Sequence, residues 1–189
     1  RRMERRQLQR SHHIVAITRD FVPIMEREFG VPAAKITVIP NWAPLDTLPA
    51  LPKDNDWSRA RGLHERFVFL YTGTLGMKHN PDLLLQLALQ CRAHPQARVV
   101  VISEGIGADW LRARSAEHGL TNLLLLPYQP FQVLPQVLAA GDVLLAVLEE
   151  DAGVFSVPSK VLTYLCAARP LLLAVPAVNL AARIIHEQG

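Results

Sequence analysis

The chain has 189 residues, half of them apolar and one fifth charged. That is a globular composition, and it excludes both a disordered chain and a membrane bundle. The net charge of +3 is concentrated at one end: Arg1, Arg2, Arg5, Arg6 and Arg10 stand against Glu4, and the rest of the chain is nearly neutral. With only 6 % aromatic residues, this pattern argues against a nucleic-acid partner. The arginine run reads either as a solvated helix end or as a contact for anionic lipid head groups.

In chain order, residues 1–10 read as a helix, His13 to Thr18 as a strand, Asp20 to Phe29 as a helix stopped by Gly30, and Lys35 to Ile39 as a strand. Residues 40–57 carry Pro40, Pro44, Pro49 and Pro52, which is linker composition. A short helix around Ser58 to Leu63 follows. Phe67 to Tyr71 is an apolar strand, leading through a loop with Gly73 and Gly76 to a helix opened by Pro81 at its first position and capped by Asn80. Its expected buried stripe is Leu83, Leu84, Leu87 and Cys91. Next come a strand at Val99 to Ile102, a Gly105/Gly107 loop, a helix over Asp109 to His118, a strand at Leu123 to Leu126 and a helix near Pro135 to Ala140. The last stretch reads as a strand at Val143 to Leu148, a loop from Glu149 to Pro158, a helix over Ser159 to Ala168, a strand at Leu171 to Val175 and a helix over Val178 to Gln188. The longest unbroken apolar run, Val143 to Leu148, falls far short of the ~20 residues of a membrane span.

Strands that are apolar throughout are buried on both faces, and strict strand–helix alternation gives a parallel sheet covered on both sides. The expectation from Phe67 onward is therefore an α/β fold with a doubly wound parallel sheet of at least five strands. Cys91 and Cys166 lie 75 positions apart with no ligand-spaced partner, so buried free thiols in a reducing compartment are expected. No metal-ligand cluster, nucleophile elbow or oxidoreductase fingerprint is present.

In such sheets ligands bind beyond the carboxyl ends of the strands. Three loops there carry candidate chemistry. In Thr72 to Asn80 (TGTLGMKHN), Gly73 and Gly76 let backbone approach an anion and Lys78 adds a mobile charge. The competing reading is a tight turn with an exposed lysine. In Ser103 to Gly107 (SEGIG), Glu104 is placed to accept from a sugar or ribose hydroxyl, or is simply a solvated carboxylate. In Val154 to Thr163, Ser159 reads as an N-cap and Lys160 as a cation beside the helix start. An ordinary capped helix explains the same residues. The spacing supports a domain that binds a phosphorylated small molecule, and no more than that.

The order of motifs adds to this. The segment "HHIVAITRDFVPIMEREFGVPAAKITVIPNWAP" (12–44) resembles the end of the N-terminal domain of family-4 glycosyltransferases, which have the GT-B fold. "FVFLYTGTLGMKHNPDLLLQLA" (67–88) resembles the first strand, glycine loop and helix of their donor-binding domain. "LLLLPYQPFQVLPQVLAAGDVLLAVL" (123–148) and "VPSKVLTYLCAARPLLLAVP" (157–176) resemble two later stretches, the second being the signature helix. The Pro-Ser-Lys form is similar to the branch that makes bacterial surface polysaccharides.

The resemblance implies a Rossmann-like half of a GT-B fold, a fragment of a two-domain enzyme. Residues 1–45 would end the N-terminal domain, 46–65 would form a linker, and 66–189 would form the donor-binding domain, incomplete at its C-terminus. It further implies retaining transfer of a sugar from a nucleotide-diphosphate donor to a lipid-linked or saccharide acceptor. No metal or other cofactor is implied, and the setting would be cytoplasmic, with peripheral contact at the inner membrane face. In the intact protein Lys78 and Lys160 would be the catalytic cations. Gly73, Gly76, Glu104, Tyr128, Gln129, Ser159 and Thr163 would hold the donor, with Tyr128 and Gln129 near the base. The family's two glutamates fall on Phe155 and Thr163, and its loop arginine on Thr74. Those departures keep open a non-catalytic or degenerate nucleotide-sugar-binding domain, and the shared fold keeps open a nucleotide-sugar 2-epimerase. The fragment alone is expected to bind donor weakly and to transfer nothing.

Overall fold

The computed structural model describes residues 1–76, 79–149 and 159–188. The chain forms two compact units, Arg1–Trp42 and Ala43–Gly189.

In the first unit, helix α1 (Arg2–Arg10) and strand β1 (Ile14–Ala16) precede helix α2 (Phe21–Phe29) and strand β2 (Ile36–Val38). The two strands pair in parallel, Ile14 opposite Ile36. Gly30 ends α2 in the left-handed conformation (φ 67°) that a β-carbon disfavours. Gln9 Nε2 donates to the Phe29 carbonyl at 2.8 Å, and the Arg5 guanidinium donates to the Glu28 carbonyl.

The second unit begins well before its sheet. The proline-rich stretch does not run free there: Asn55 and Ser58 form a reciprocal capping box on helix α3 (Asp56–Arg59). That helix sits slightly earlier than the expected 58–63. Four residues make a marginal helix, and burial of Trp57 at 5 % exposure supplies what propensity does not. The Trp57 indole N–H donates to Gln129 Oε1 at 3.0 Å, and the Arg61 guanidinium lies 4.2 Å over its ring. Lys53 pairs with Asp142, whose carboxylate also accepts the Val68 N–H at 2.7 Å. Residues 43–65 are thereby tied to the start of the sheet.

The sheet comprises β3 (Phe67–Thr72), β4 (Ala97–Ile102), β5 (Leu123–Leu126), β6 (Val143–Val147) and β7 (Leu171–Ala174), in the order β5-β4-β3-β6-β7 with every pair parallel. This is the doubly wound sheet expected from the sequence. Alternate residues of β3 feed two cores. Val68 and Leu70 join Val137, Leu138, Val161 and Tyr164 on the face covered by α3, α6 (Leu134–Ala139), α7 (Lys160–Cys166) and α8 (Leu180–Gln188). Tyr71 joins Leu84, Leu85, Ala88 and Leu111 on the face covered by α4 (Pro81–Gln90) and α5 (Ile106–Glu117). Each fully buried Leu or Val contributes roughly 1.5–3 kcal/mol of transfer free energy.

Several local expectations shift. The buried stripe of α4 is Pro81, Leu84, Leu85, Ala88 and Cys91, at helical spacing, while Leu83 is 40 % exposed and Leu87 half-buried. Asn80 holds the cap position with φ 44° but caps with no side-chain hydrogen bond. Helix α5 starts three residues early because Gly105 (φ 98°) turns the chain at once into Ile106. Cys91 is a buried free thiol. Cys166 is half-buried, and its thiol lies 3.4 Å from the Leu162 carbonyl.

Candidate functional site

The strand order reverses between β3 and β6, which is where doubly wound sheets open a crevice at their carboxyl ends. Here β3 and β6 pair only through Phe69–Val143 and Leu70–Leu144. Two residues further along, the Tyr164 hydroxyl accepts the Thr72 N–H at 2.9 Å and donates to the Thr72 carbonyl at 3.0 Å. A side chain of α7 thus satisfies the backbone of β3 where strand pairing stops. Tyr164 is fully buried, and burial pushes its phenol well above the ordinary range, so it remains a neutral donor.

One turn earlier on α7 lies Lys160. The helix packs on the Val68/Leu70 face, yet the Lys160 amine reaches over the end of β3 to the Tyr71 ring on the other face, 3.8 Å from its centroid. Gly73 lies directly beside that path: a β-carbon there would be in ordinary contact, 3.4 Å from Nζ and 3.5 Å from Cε. Gly73 also holds φ 118°, a conformation that L side chains rarely adopt. The Lys160 Nζ is buried and has no hydrogen-bond partner among the described residues. Burial pulls its pKa down from 10.5 to about 7. The ring face returns only about 0.5–2 kcal/mol to an ammonium. That does not offset the several kcal/mol of burying a charge without an acceptor.

The loops after β3, β4 and β5 are joined to one another. The Tyr71 hydroxyl donates to the Thr74 carbonyl at 2.7 Å, and the Tyr128 hydroxyl lies 3.3 Å from Thr74 Oγ1. Glu104 Oε1 accepts the Tyr128 N–H at 3.1 Å. Gly107, in the first turn of α5, meets the Leu75 carbonyl so closely that a β-carbon would sit 2.1 Å from its oxygen. Beside this assembly is a cavity of about 480 Å³ lined by Asn80, Leu83, Leu148, Glu149 and the 174–177 turn.

The structure thus brings Gly73, Glu104, Tyr128 and Lys160 to the carboxyl end of the sheet. Lys78 and Phe155 lie outside the described residues. The backbone N–H of Gly73 donates to Ile102 and that of Gly76 to His79 Nδ1, so both are already engaged. Gln129 turns its carbonyl to Trp57 and Arg61 and its amide to Pro127, and so braces α3. Ser159 is exposed, with helical φ −55° and ψ −25°, and makes no capping bond. Thr163 is half-buried on α7. Sequence reasoning missed Tyr71, Tyr164 and the packing role of Gly107. The available signals were the tyrosine closing an otherwise apolar strand and a second tyrosine four residues after the lysine.

In the first unit, a cavity of about 290 Å³ is lined by Arg1, Arg2, Arg5, Glu28 and Phe29. Its arginines are partly engaged there: Arg1 lies 3.8 Å from the Glu28 carboxylate. Among the described residues no helix is long and apolar enough to cross a membrane, and no group of three His, Cys, Asp or Glu is disposed to hold a metal.

No family model matches the sequence. Among curated proteins, the chain is 25 % identical over 154 residues to WcaI of Escherichia coli (strain K12), assigned as a colanic acid biosynthesis glycosyl transferase. The match covers 79 % of this chain and 37 % of WcaI. It is 26 % identical over 183 residues to WbjE of Pseudomonas aeruginosa, assigned as a glycosyltransferase, covering 93 % of this chain and 44 % of WbjE. The chain therefore spans less than half the length of either relative. HepE of Anabaena, solved with UDP and glucose, superposes with a TM-score of 0.76 at 15 % identity, over 98 % of this chain and 56 % of HepE. The resemblance to GT-B glycosyltransferases is borne out, and the five-stranded parallel sheet matches their Rossmann-like domains.

Proposed function

We propose that this chain is the donor-binding part of a retaining glycosyltransferase that moves a sugar from a nucleotide-diphosphate donor to a lipid-linked or saccharide acceptor in surface-polysaccharide synthesis. The observation that carries the reading is the buried Lys160 amine, without a hydrogen-bond partner among the described residues, lying over Gly73 at the point where the sheet reverses its order. The relatives WcaI and WbjE support the reaction class, and the UDP and glucose bound by HepE support the donor class.

On this reading Lys160, joined by Lys78, meets the diphosphate. Both stabilise the negative charge that grows on it as the sugar departs, which lowers the barrier rather than only binding the ground state. Gly73 and Gly76 keep side chains out of the diphosphate's way. The free oxygen of Glu104 faces a ribose hydroxyl, the half-exposed Tyr128 ring borders the base, and the Thr163 hydroxyl serves the sugar where a carboxylate would bind more strongly. The lysines take the role a metal would otherwise play, and no cofactor enters the scheme. The protein would work at the cytoplasmic membrane face, where lipid-linked acceptors are presented. Calorimetric titration with UDP-glucose and GDP-mannose, followed by a transfer assay on the intact protein, tests the proposal. Saturable binding that Lys160→Met weakens at least tenfold is expected. A folded protein that binds neither sugar nucleotide would overturn it.

A further inference from the structure

Lys160 has a second consequence, which rests on the donor-binding reading above. Its amine reaches the face of Tyr71 by passing over Gly73, and among the described residues no carboxylate pairs with it. Each described titratable group at this end of the sheet has a place; Lys78, Glu150 and Asp151 lie outside the described residues. Tyr71 lies beneath the amine and donates to Thr74; Tyr164, one turn along α7, is bonded to Thr72. Tyr128 and Glu104 hold each other across two loops, His79 accepts from Gly76, and Glu149 lines the neighbouring cavity. Among the described residues, the amine thus rests on an aromatic face with no anion beside it.

We propose that Lys160 waits in the empty site as a neutral amine and becomes an ammonium when the diphosphate arrives, so that donor binding takes up one proton from solution. The incoming anion supplies the counter-charge that the protein withholds. The proton comes from solvent and stays on Nζ, paired with the diphosphate, until the nucleotide leaves. Burial, which brings the pKa of the empty site to about 7, places the effect in the physiological range. Affinity for the donor would then fall about tenfold per pH unit above neutrality. The amine would also add its full charge only when a diphosphate is present to use it.

The test is calorimetry of the intact protein with UDP-glucose, whose diphosphate diester does not itself titrate near neutrality, in HEPES and in Tris. At about pH 8.5 the binding enthalpy should differ between the buffers by the amount for roughly one proton taken up, and the difference should shrink as the pH falls below 7. Lys160→Arg, which stays charged, should bind with a buffer-independent enthalpy and a flat pH profile. Intact binding with a buffer-independent enthalpy in the wild type would overturn the proton linkage and leave the donor reading standing. No binding of UDP-glucose or GDP-mannose at either pH would remove both. If the arginine variant fails to fold, carbon-13 methylation of the wild-type lysines decides by nuclear magnetic resonance. A lysine that titrates near neutrality only without UDP-glucose supports the proposal. Lysines that all titrate near their ordinary value overturn it.

Discussion

Replacing Tyr164 with phenylalanine isolates the contact that fixes the lysine-bearing helix to the central strand. The ring remains, so packing against Val68 and Leu70 is kept and no cavity opens. What is lost is one hydroxyl that satisfies both the N–H and the carbonyl of Thr72. Tyr164 is 0 % exposed, so water does not replace it. Each buried backbone group left without a partner costs about 1–3 kcal/mol. Two such groups, with some relaxation of α7, give a loss of roughly 3 kcal/mol. For a unit of this size that lowers Tm by about 6–12 °C. Urea unfolding followed by circular dichroism measures the free energy, and calorimetric titration with UDP-glucose reads the consequence at Lys160. Donor affinity should fall as well, because α7 is no longer held at the end of β3. A variant with unchanged stability would refute the claim that this hydroxyl closes the gap between β3 and β6.

Gly107→Ala should destabilise by roughly 3 kcal/mol or more, since the new methyl collides with the Leu75 backbone rather than with a flexible side chain; a urea midpoint within experimental scatter of the wild type would contradict this. Asp142→Asn should cost about 1–3 kcal/mol in the same assay, because the Lys53 ammonium loses its counter-charge while Val68 keeps an acceptor. For Lys160, the folded pKa is lowered to about 7, so between pH 7 and 10 the unfolded chain holds more protons than the folded one. Stability contributed by this group therefore rises with pH by about 1.4 kcal/mol per unit across that window. The rise should be missing in Lys160→Met, and identical pH dependence in the two proteins would show that Lys160 is already charged when folded. The 189-residue chain by itself should bind UDP-glucose weakly and transfer no sugar, and measurable transfer by it would contradict the division of labour proposed here.

The sheet was legible because its strands are apolar without alternation and its helices carry their own stops, as Gly119 does for α5. Register and boundaries were less so. Leu83 and Leu85 are interchangeable by hydropathy, and only the sheet beneath α4 decides which is buried. The role of residues 43–65 was hidden because prolines and polar residues dominate the composition, while the anchoring depends on single long-range contacts of Trp57 and Lys53. At the site, Lys160 and Gly73 were legible from loop position. Their relation was not, since a lysine crossing a strand end over a glycine leaves no trace in spacing. Gln129 read as a base-side residue only through the family resemblance, and its engagement by Trp57 required knowing where α3 packs. Helix capping failed as a guide at both Asn80 and Ser159, whose backbones are left-handed and helical rather than extended and whose side chains make no capping bond.

The most direct measurement is the affinity of the intact protein for UDP-glucose and GDP-mannose, wild type against Lys160→Met, with folding of both checked by circular dichroism. Saturable binding of one sugar nucleotide, reduced at least tenfold by the methionine, is the result expected from a diphosphate held by a buried lysine. Equal binding by the two proteins, or none by either while folded, would contradict it.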